Sequence, residues 1–202
     1  MYVVHSPTSH YALLRRLINM RKELKEWTLI LIVFGGLYVT GLHTEVIALF
    51  QRAVLITGII GPETGTHHGV LDGNIILEDI DGNTHTISSS SDRPTFVNVW
   101  ATWCPPCIAE MPNIQALYED MGSDVDFVMI SRDRDRQKAI EWVKRNEYKF
   151  PIYFQKYRLP EVMQSQSIPT SFVISSRGEI VMKHVGMSNY DSEEFRDFLR
   201  NL

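Results

Sequence analysis

The sequence is poor in cysteine: it holds two, Cys104 and Cys107, among 202 residues. Two are too few for a disulfide framework, and a zinc site would need more ligands. Strong charge is also missing. The formal net charge is −4, which gives no reason to expect a nucleic-acid partner. There is no glycine-rich dinucleotide fingerprint and no sign of a bound cofactor or metal. The adjacent His67 and His68 point in different directions and have no visible partner, so they read as part of a solvated linker. What remains is a pair of thiols three positions apart in "ATWCPPCIAEMP", residues 101–112. They are a redox pair or an accident of spacing, and the flanking residues must decide.

Charge is wholly absent from Trp27–Leu42, WTLILIVFGGLYVTGL. As a helix this run covers roughly 24 Å, a little under the ~30 Å hydrocarbon core, with the flanks left to make up the difference. It is apolar all round, and Gly35, Gly36 and Gly41 suit a membrane helix. Arg15, Arg16, Arg21, Lys22 and Lys25 precede it, and no Lys or Arg follows at once. The positive-inside rule then predicts a single-pass anchor, with a cytoplasmic segment at 1–26 and the rest of the chain extracytoplasmic. No small-residue cleavage site follows, so a retained anchor is expected rather than a removed signal. Residues 1–19 read as a short cytoplasmic tail or an over-extended start. In 43–60, Thr44, Glu45, Gln51 and Arg52 recur seven apart and form one polar stripe. That predicts an amphipathic helix on the outer membrane face or a continuation of the anchor. A second span is the competing reading, and Arg52 would cost it ~2.5–3.5 kcal/mol. The turn-rich stretch that follows, 61–73, is read as a tether.

From Asn74 to Leu202 strands and helices alternate. Ile75–Ile80 and Thr84–Ile87 flank the turn signal Asp81-Gly82-Asn83. Thr95–Ala101 reads as a buried strand. From Cys107 to Met121, apolar residues fall at helical spacing, with Pro105 and Pro106 suited to the first turn and Pro112 expected to kink the helix. Val125–Ser131 is a strand, Arg132–Arg136 a solvated charged loop, Arg136–Asn146 a helix and Pro151–Phe154 a strand. Ser171–Ser175 and Glu179–Val185 form a hairpin about Arg177-Gly178, and Ser192–Leu202 is a closing helix. The order predicts an α/β fold with a mixed sheet.

A cysteine between a strand end and a helix start meets free backbone amides and the positive end of the helix dipole, and both favour thiolate. Cys104 is therefore expected to be the exposed nucleophile, with a pKa of ~3.5–7 as in other CxxC pairs. Cys107, one turn in, resolves the mixed disulfide. Glu110 follows Cys107 at helix spacing. If partly buried it would carry a raised pKa and exchange protons with Cys107; the competing reading is an exposed surface glutamate. Trp103 reads as a surface element bordering the pair, Trp100 as core.

Strand–WCPPC–helix, with Ser167-Ile168-Pro169-Thr170 far downstream, resembles the thioredoxin superfamily. The membrane anchor, the hairpin IILEDIDGNTHTIS, the long stretch between Cys107 and Pro169, Asn98 in place of a buried aspartate, and Glu110 make the chain similar to the TlpA/ResA-type membrane-anchored thiol-disulfide oxidoreductases. The resemblance covers about Asn74–Leu202. It implies a thioredoxin-like fold with an N-terminal hairpin extension, preceded by a transmembrane helix. It also implies a cis Pro169, an Ile168 backbone that pairs with extended substrate, and a proton-exchanging role for Glu110. Trp103, Pro105, Pro106, Ile168 and Pro169 are then the expected substrate-contacting surface, and Cys104 and Cys107 the redox disulfide. The implied activity is reduction of extracytoplasmic protein disulfides, for instance in cytochrome c maturation. Electrons would come from a thiol-disulfide donor. An oxidant of folding proteins remains open on the same fold, as does a tethered binding module with a structural disulfide. A thiol peroxidase is disfavoured by the WCxxC context.

Overall fold

The computed structural model describes residues 8–40 and 42–202. Of the expected cytoplasmic segment and anchor, residues 1–7 and Gly41 lie outside the described residues. The chain divides into two compact units, the first ending at His43 and the second running Thr44–Leu202.

In the first unit, helix α1 runs Thr8–Thr40 without a boundary at Trp27. Among the described residues no single helix is long and apolar enough to cross a membrane; Lys22–Thr40 and Leu42–Ile56 meet that measure only together. Charges up to Glu26 confine the apolar part of α1 to Trp27–Thr40, roughly 21 Å of helix.

The second unit starts well before the expected Asn74. Helix α2 spans Leu42–Ile56. Strands β1 (Ile75–Glu78), β2 (Thr84–Ile87), β3 (Thr95–Trp100), β4 (Asp126–Ser131), β5 (Ile152–Gln155), β6 (Thr170–Ile174) and β7 (Ile180–Val185) form one sheet in the order β2-β1-β5-β4-β3-β6-β7. β3, β4 and β5 are parallel, and every other pairing is antiparallel, so the sheet is mixed. Helices α3 (Pro105–Met121), α4 (Arg136–Arg145) and α5 (Glu193–Arg200) complete the unit. A 3₁₀ turn at Glu161–Met163 had no signal in the periodicity.

Local chemistry explains the boundaries. The β1–β2 turn closes on Asp79, whose Oδ1 accepts from the amides of Asp81 and Asn83. Asp135 and Ser192 cap α4 and α5 by accepting from the amides of Gln137 and Phe195. Gly178 turns the β6–β7 hairpin at φ +80°, where a Cβ would stand 2.0 Å from the Ser89 carbonyl oxygen.

Period two along the strands divides two cores. Phe96, Trp100, Phe127, Met129 and Val173 pack with α3, α4 and α5. Val97, Val99, Val128, Ile130, Phe172 and Ile174 face the other way, onto Leu71, Leu159 and Met163. Leu71 belongs to the segment expected to be a free tether, and that expectation is corrected here. The His68 amide donates to Ile180, the Ile180 amide to Gly69 and the Leu71 amide to Gly178. The segment straps the start of β7 and covers part of that sheet edge.

Helix α2 is also bound to the domain. Its Ala48 and Leu55 are buried, and Glu45 Oε1 accepts from Trp142 Nε1 at 3.0 Å. Arg52 donates to the carbonyl of Ile108 at 3.2 Å. That carbonyl would ordinarily accept from residue 112, which is proline and has no N–H. α3 runs through Pro112, and Arg52 supplies the donor the proline lacks. Replacing Arg52→Met leaves this acceptor unpaired, at an expected cost of ~1–3 kcal/mol in denaturant unfolding. In a Pro112→Ala background, where residue 112 regains its N–H, the same replacement is expected to cost measurably less. An equal cost in both backgrounds would show that the Ile108 carbonyl is not what Arg52 serves.

Candidate active site

β3 ends at Trp100, and α3 begins at Pro105. Cys104 stands between them as the N-cap of α3, with extended backbone angles. Pro105 and Pro106 occupy the first two helical positions, where a missing N–H costs nothing. The first amide the helix can offer is therefore that of Cys107, which points at Cys104 Sγ from 3.3 Å. A thiolate on Cys104 would receive that bond and the positive end of the helix dipole.

Cys104 and Cys107 are joined as a disulfide. Cys104 is only 4 % exposed and Cys107 fully buried. The relative order is the one expected, but an exposed Cys104 is not found. Its Sγ lies 3.7 Å from the Ile168 carbonyl oxygen, so the cis-proline segment covers one side of it. The Ile168–Pro169 peptide bond is cis. Trp103 projects beside the pair, 55 % exposed. Pro105, Pro106 and Ile168 are half-buried and Pro169 is buried. Trp100 is core, packed against Trp142.

The loop before Cys104 is pinned from β4. Asp133 accepts from the Thr102 amide at 2.9 Å, from the Thr102 hydroxyl at 2.6 Å and from the Ser131 hydroxyl at 2.9 Å. This corrects the reading of Arg132–Arg136 as a wholly solvated loop. Asp133 is buried, and only its neighbours face water. Alternating charges hid it, because burial of one member of a charged run leaves no periodic signal.

Glu110 lies one turn after Cys107 and is completely buried, which excludes a surface glutamate. Its Oε1 accepts from Asn98 Nδ2 at 2.7 Å, and its Oε2 accepts from the Ser188 amide at 3.1 Å. Asn98 Nδ2 also donates to Ser171 Oγ at 2.9 Å. Burial without a cation raises the Glu110 pKa to about 8, against the lowering effect of those two bonds. The carboxyl is therefore mostly neutral at pH 7. Its proton needs an acceptor, and Asn98 Oδ1 and Ser188 Oγ are both unused. Tyr190 is buried nearby, its hydroxyl pushed far up by burial and then by the Glu110 charge. Ser171, Ser188 and Tyr190 were not singled out in the sequence. Ser171 directly follows the Ile-Pro-Thr motif and could have been suspected, whereas Ser188 comes from an unpatterned loop after β7. No group of acidic, histidine or cysteine side chains able to hold a metal ion occurs among the described residues.

The pH dependence has a definite sign. Below about pH 4.5 the carboxyl is protonated both folded and unfolded. From there to about pH 8 only the folded state keeps the proton, so stability falls as pH rises, with a slope approaching 1.4 kcal/mol per unit. Glu110→Gln is expected to flatten this slope in denaturant unfolding of the oxidised protein across that window. An unchanged slope would mean that Glu110 titrates at its ordinary value.

Comparison with known proteins bears on the same segment. The family model described as Redoxin matches residues 70–199. The thiol-disulfide oxidoreductase ResA of Halalkalibacterium halodurans is 30% identical over 130 residues, covering 63% of this chain and 74% of that protein. The sporulation thiol-disulfide oxidoreductase A of Bacillus subtilis is 29% identical over 116 residues, 55% of this chain and 70% of that one. The crystal structure of StoA from Bacillus subtilis superposes with a TM-score of 0.52 at 26% identity, covering 62% of this chain and 96% of that chain.

Proposed function

The chain belongs to the Redoxin family as a ResA-type thiol-disulfide oxidoreductase, and from that membership and the geometry at Cys104 we propose that it is a membrane-tethered reductant of extracytoplasmic protein disulfides. The observation that carries the reading is the Cys104–Cys107 disulfide at the head of α3, with the cis Ile168–Pro169 bond lying against Cys104.

In the reduced protein the Cys104 thiolate attacks a sulfur of the substrate disulfide. A mixed disulfide forms, and one substrate sulfur leaves as thiolate. Cys107 then gives its proton to the Glu110 carboxylate and attacks Cys104 Sγ. The mixed disulfide breaks, the second substrate sulfur leaves, and the Cys104–Cys107 bond forms. Two electrons have passed from the cysteine pair to the substrate, whose thiolates take protons from water. The buried neutral carboxyl suits the return step. When a donor dithiol reduces the pair, Cys107 is expelled as a buried thiolate and takes the Glu110 proton. The carboxylate left behind is the base for the next cycle. Ile168 offers backbone beside Cys104 for an extended substrate segment, and Trp103 offers an apolar wall.

The tether reading rests on the uncharged run Trp27–Thr40 and the basic residues before it, with Trp27 suited to the interface and Lys22 and Lys25 able to snorkel. The electron donor is then a thiol-disulfide partner at the membrane or in the extracytoplasmic space. Cytochrome c maturation is one process in which such a reductant would serve.

Cys104→Ser is expected to abolish reduction of insulin disulfides, and retained activity would remove the nucleophile assignment. Cys107→Ser is expected to accumulate mixed disulfides on Cys104, visible on non-reducing gels. The direction of transfer is read from the reduction potential in glutathione and dithiothreitol buffers. A value near −250 mV or lower is expected for a reductant, and one near −120 mV would make the protein an oxidant.

A further inference from the structure

Helix α2 is inverted for a helix on a water-soluble domain. Its inward side carries Glu45, Gln51 and Arg52 along with the small Ala48 and Leu55. Its outward side carries Val46, Ile47, Leu49, Phe50, Val54 and Ile56, with Leu49 64 % and Phe50 74 % exposed. A helix in water buries its apolar stripe and shows its polar one. The stripe of Glu45, Gln51 and Arg52 is amphipathic as the sequence suggests, but it faces the domain.

We propose that the outward face of α2 lies in lipid, at the boundary of headgroups and acyl chains, and seats the catalytic domain on the bilayer. The proposal rests on the reading of α1 as a membrane tether. Four observations favour lipid over a protein partner. The preceding run, Trp27–Thr40, is uncharged throughout, and the α2 face continues the same chemistry along the chain. The outward face itself has no charged or hydrogen-bonding side chain, whereas a protein interface has a polar rim. Both charged side chains of α2 have hydrogen-bond partners in the domain, Glu45 with Trp142 and Arg52 with the Ile108 carbonyl, so the helix presents no charge outward. Finally, the roughly 21 Å apolar run of α1 is shorter than the ~30 Å core, and interfacial anchoring beside a short span accommodates such a mismatch.

The seat has a consequence for the reaction. Arg52 is fastened to Ile108, the residue after Cys107, at the point where Pro112 opens the α3 ladder. The active-site helix is thereby joined to the lipid-facing helix directly. The disulfide is held at a fixed height above the membrane, which selects substrates presented close to its surface.

The test uses the full chain in vesicles of phosphatidylethanolamine and phosphatidylglycerol. The photo-crosslinking residue p-benzoylphenylalanine is placed in turn at Phe50, at Phe34 in α1 and at Tyr157 on the domain surface. All three positions are exposed, and a cooperative denaturant-unfolding transition like that of the parent chain confirms that each variant is folded. Illumination is expected to give lipid adducts at Phe34 and Phe50, on the order of tenfold more than at Tyr157. Lipid at Phe34 with none above the Tyr157 level at Phe50, or an adduct of Phe50 to a second copy or another protein, overturns the seat and leaves the tether standing. Lipid at neither Phe34 nor Phe50 overturns the tether, and the seat with it.

Discussion

The bond from the Cys107 amide to Cys104 Sγ is the constraint on which the site depends. It exists because the short loop after β3 enters α3 with Cys104 as its N-cap, and because Pro105 and Pro106 have no amide hydrogen to offer ahead of Cys107. A sulfur at a helix N-cap is held where a negative charge is welcome. The rest of the domain maintains that junction. The parallel β3–β4 pair sets the strand, Asp133 pins Thr102, and the cis-proline segment, carried on the start of β6, closes over the sulfur.

One turn along α3 from Cys107 lies a buried polar cluster that holds no cation among the described residues. Glu110 meets an amide side chain from β3 and a backbone amide from the loop after β7, and nothing that would neutralise a carboxylate. Such a group stores a proton at neutral pH and releases it when a stronger base appears next to it. A buried thiolate expelled from a disulfide is such a base. In the proposed reaction the cost of burying the carboxyl is part of the chemistry rather than a defect of packing.

The two N-terminal segments are coupled to this centre in different ways. The strap at His68–Leu71 hydrogen-bonds to the start of β7. Helix α2 reaches α3 itself, through one guanidinium and one carbonyl left open by a proline. The same helix shows its apolar side outward. One short element thus touches both the active-site helix and whatever lies outside the domain.

Much was legible in the chain. Runs of β-forming residues bounded by turn signals gave the strands, and helical spacing gave α3 and α4, because such local patterns report what a segment turns to the core. The cysteine pair and Ile168-Pro169 are local motifs whose chemistry travels with their residue types. Tertiary structure decided the rest. It made Glu110 fully buried, Asp133 buried within a charged run, and Cys104 nearly closed, because burial depends on partners distant in sequence such as Ser188, Thr102 and Ile168. It also decided which side of α2 faces the domain. The sequence determines that a helix has a polar and an apolar stripe, but only the surface it packs against determines which of the two is inside.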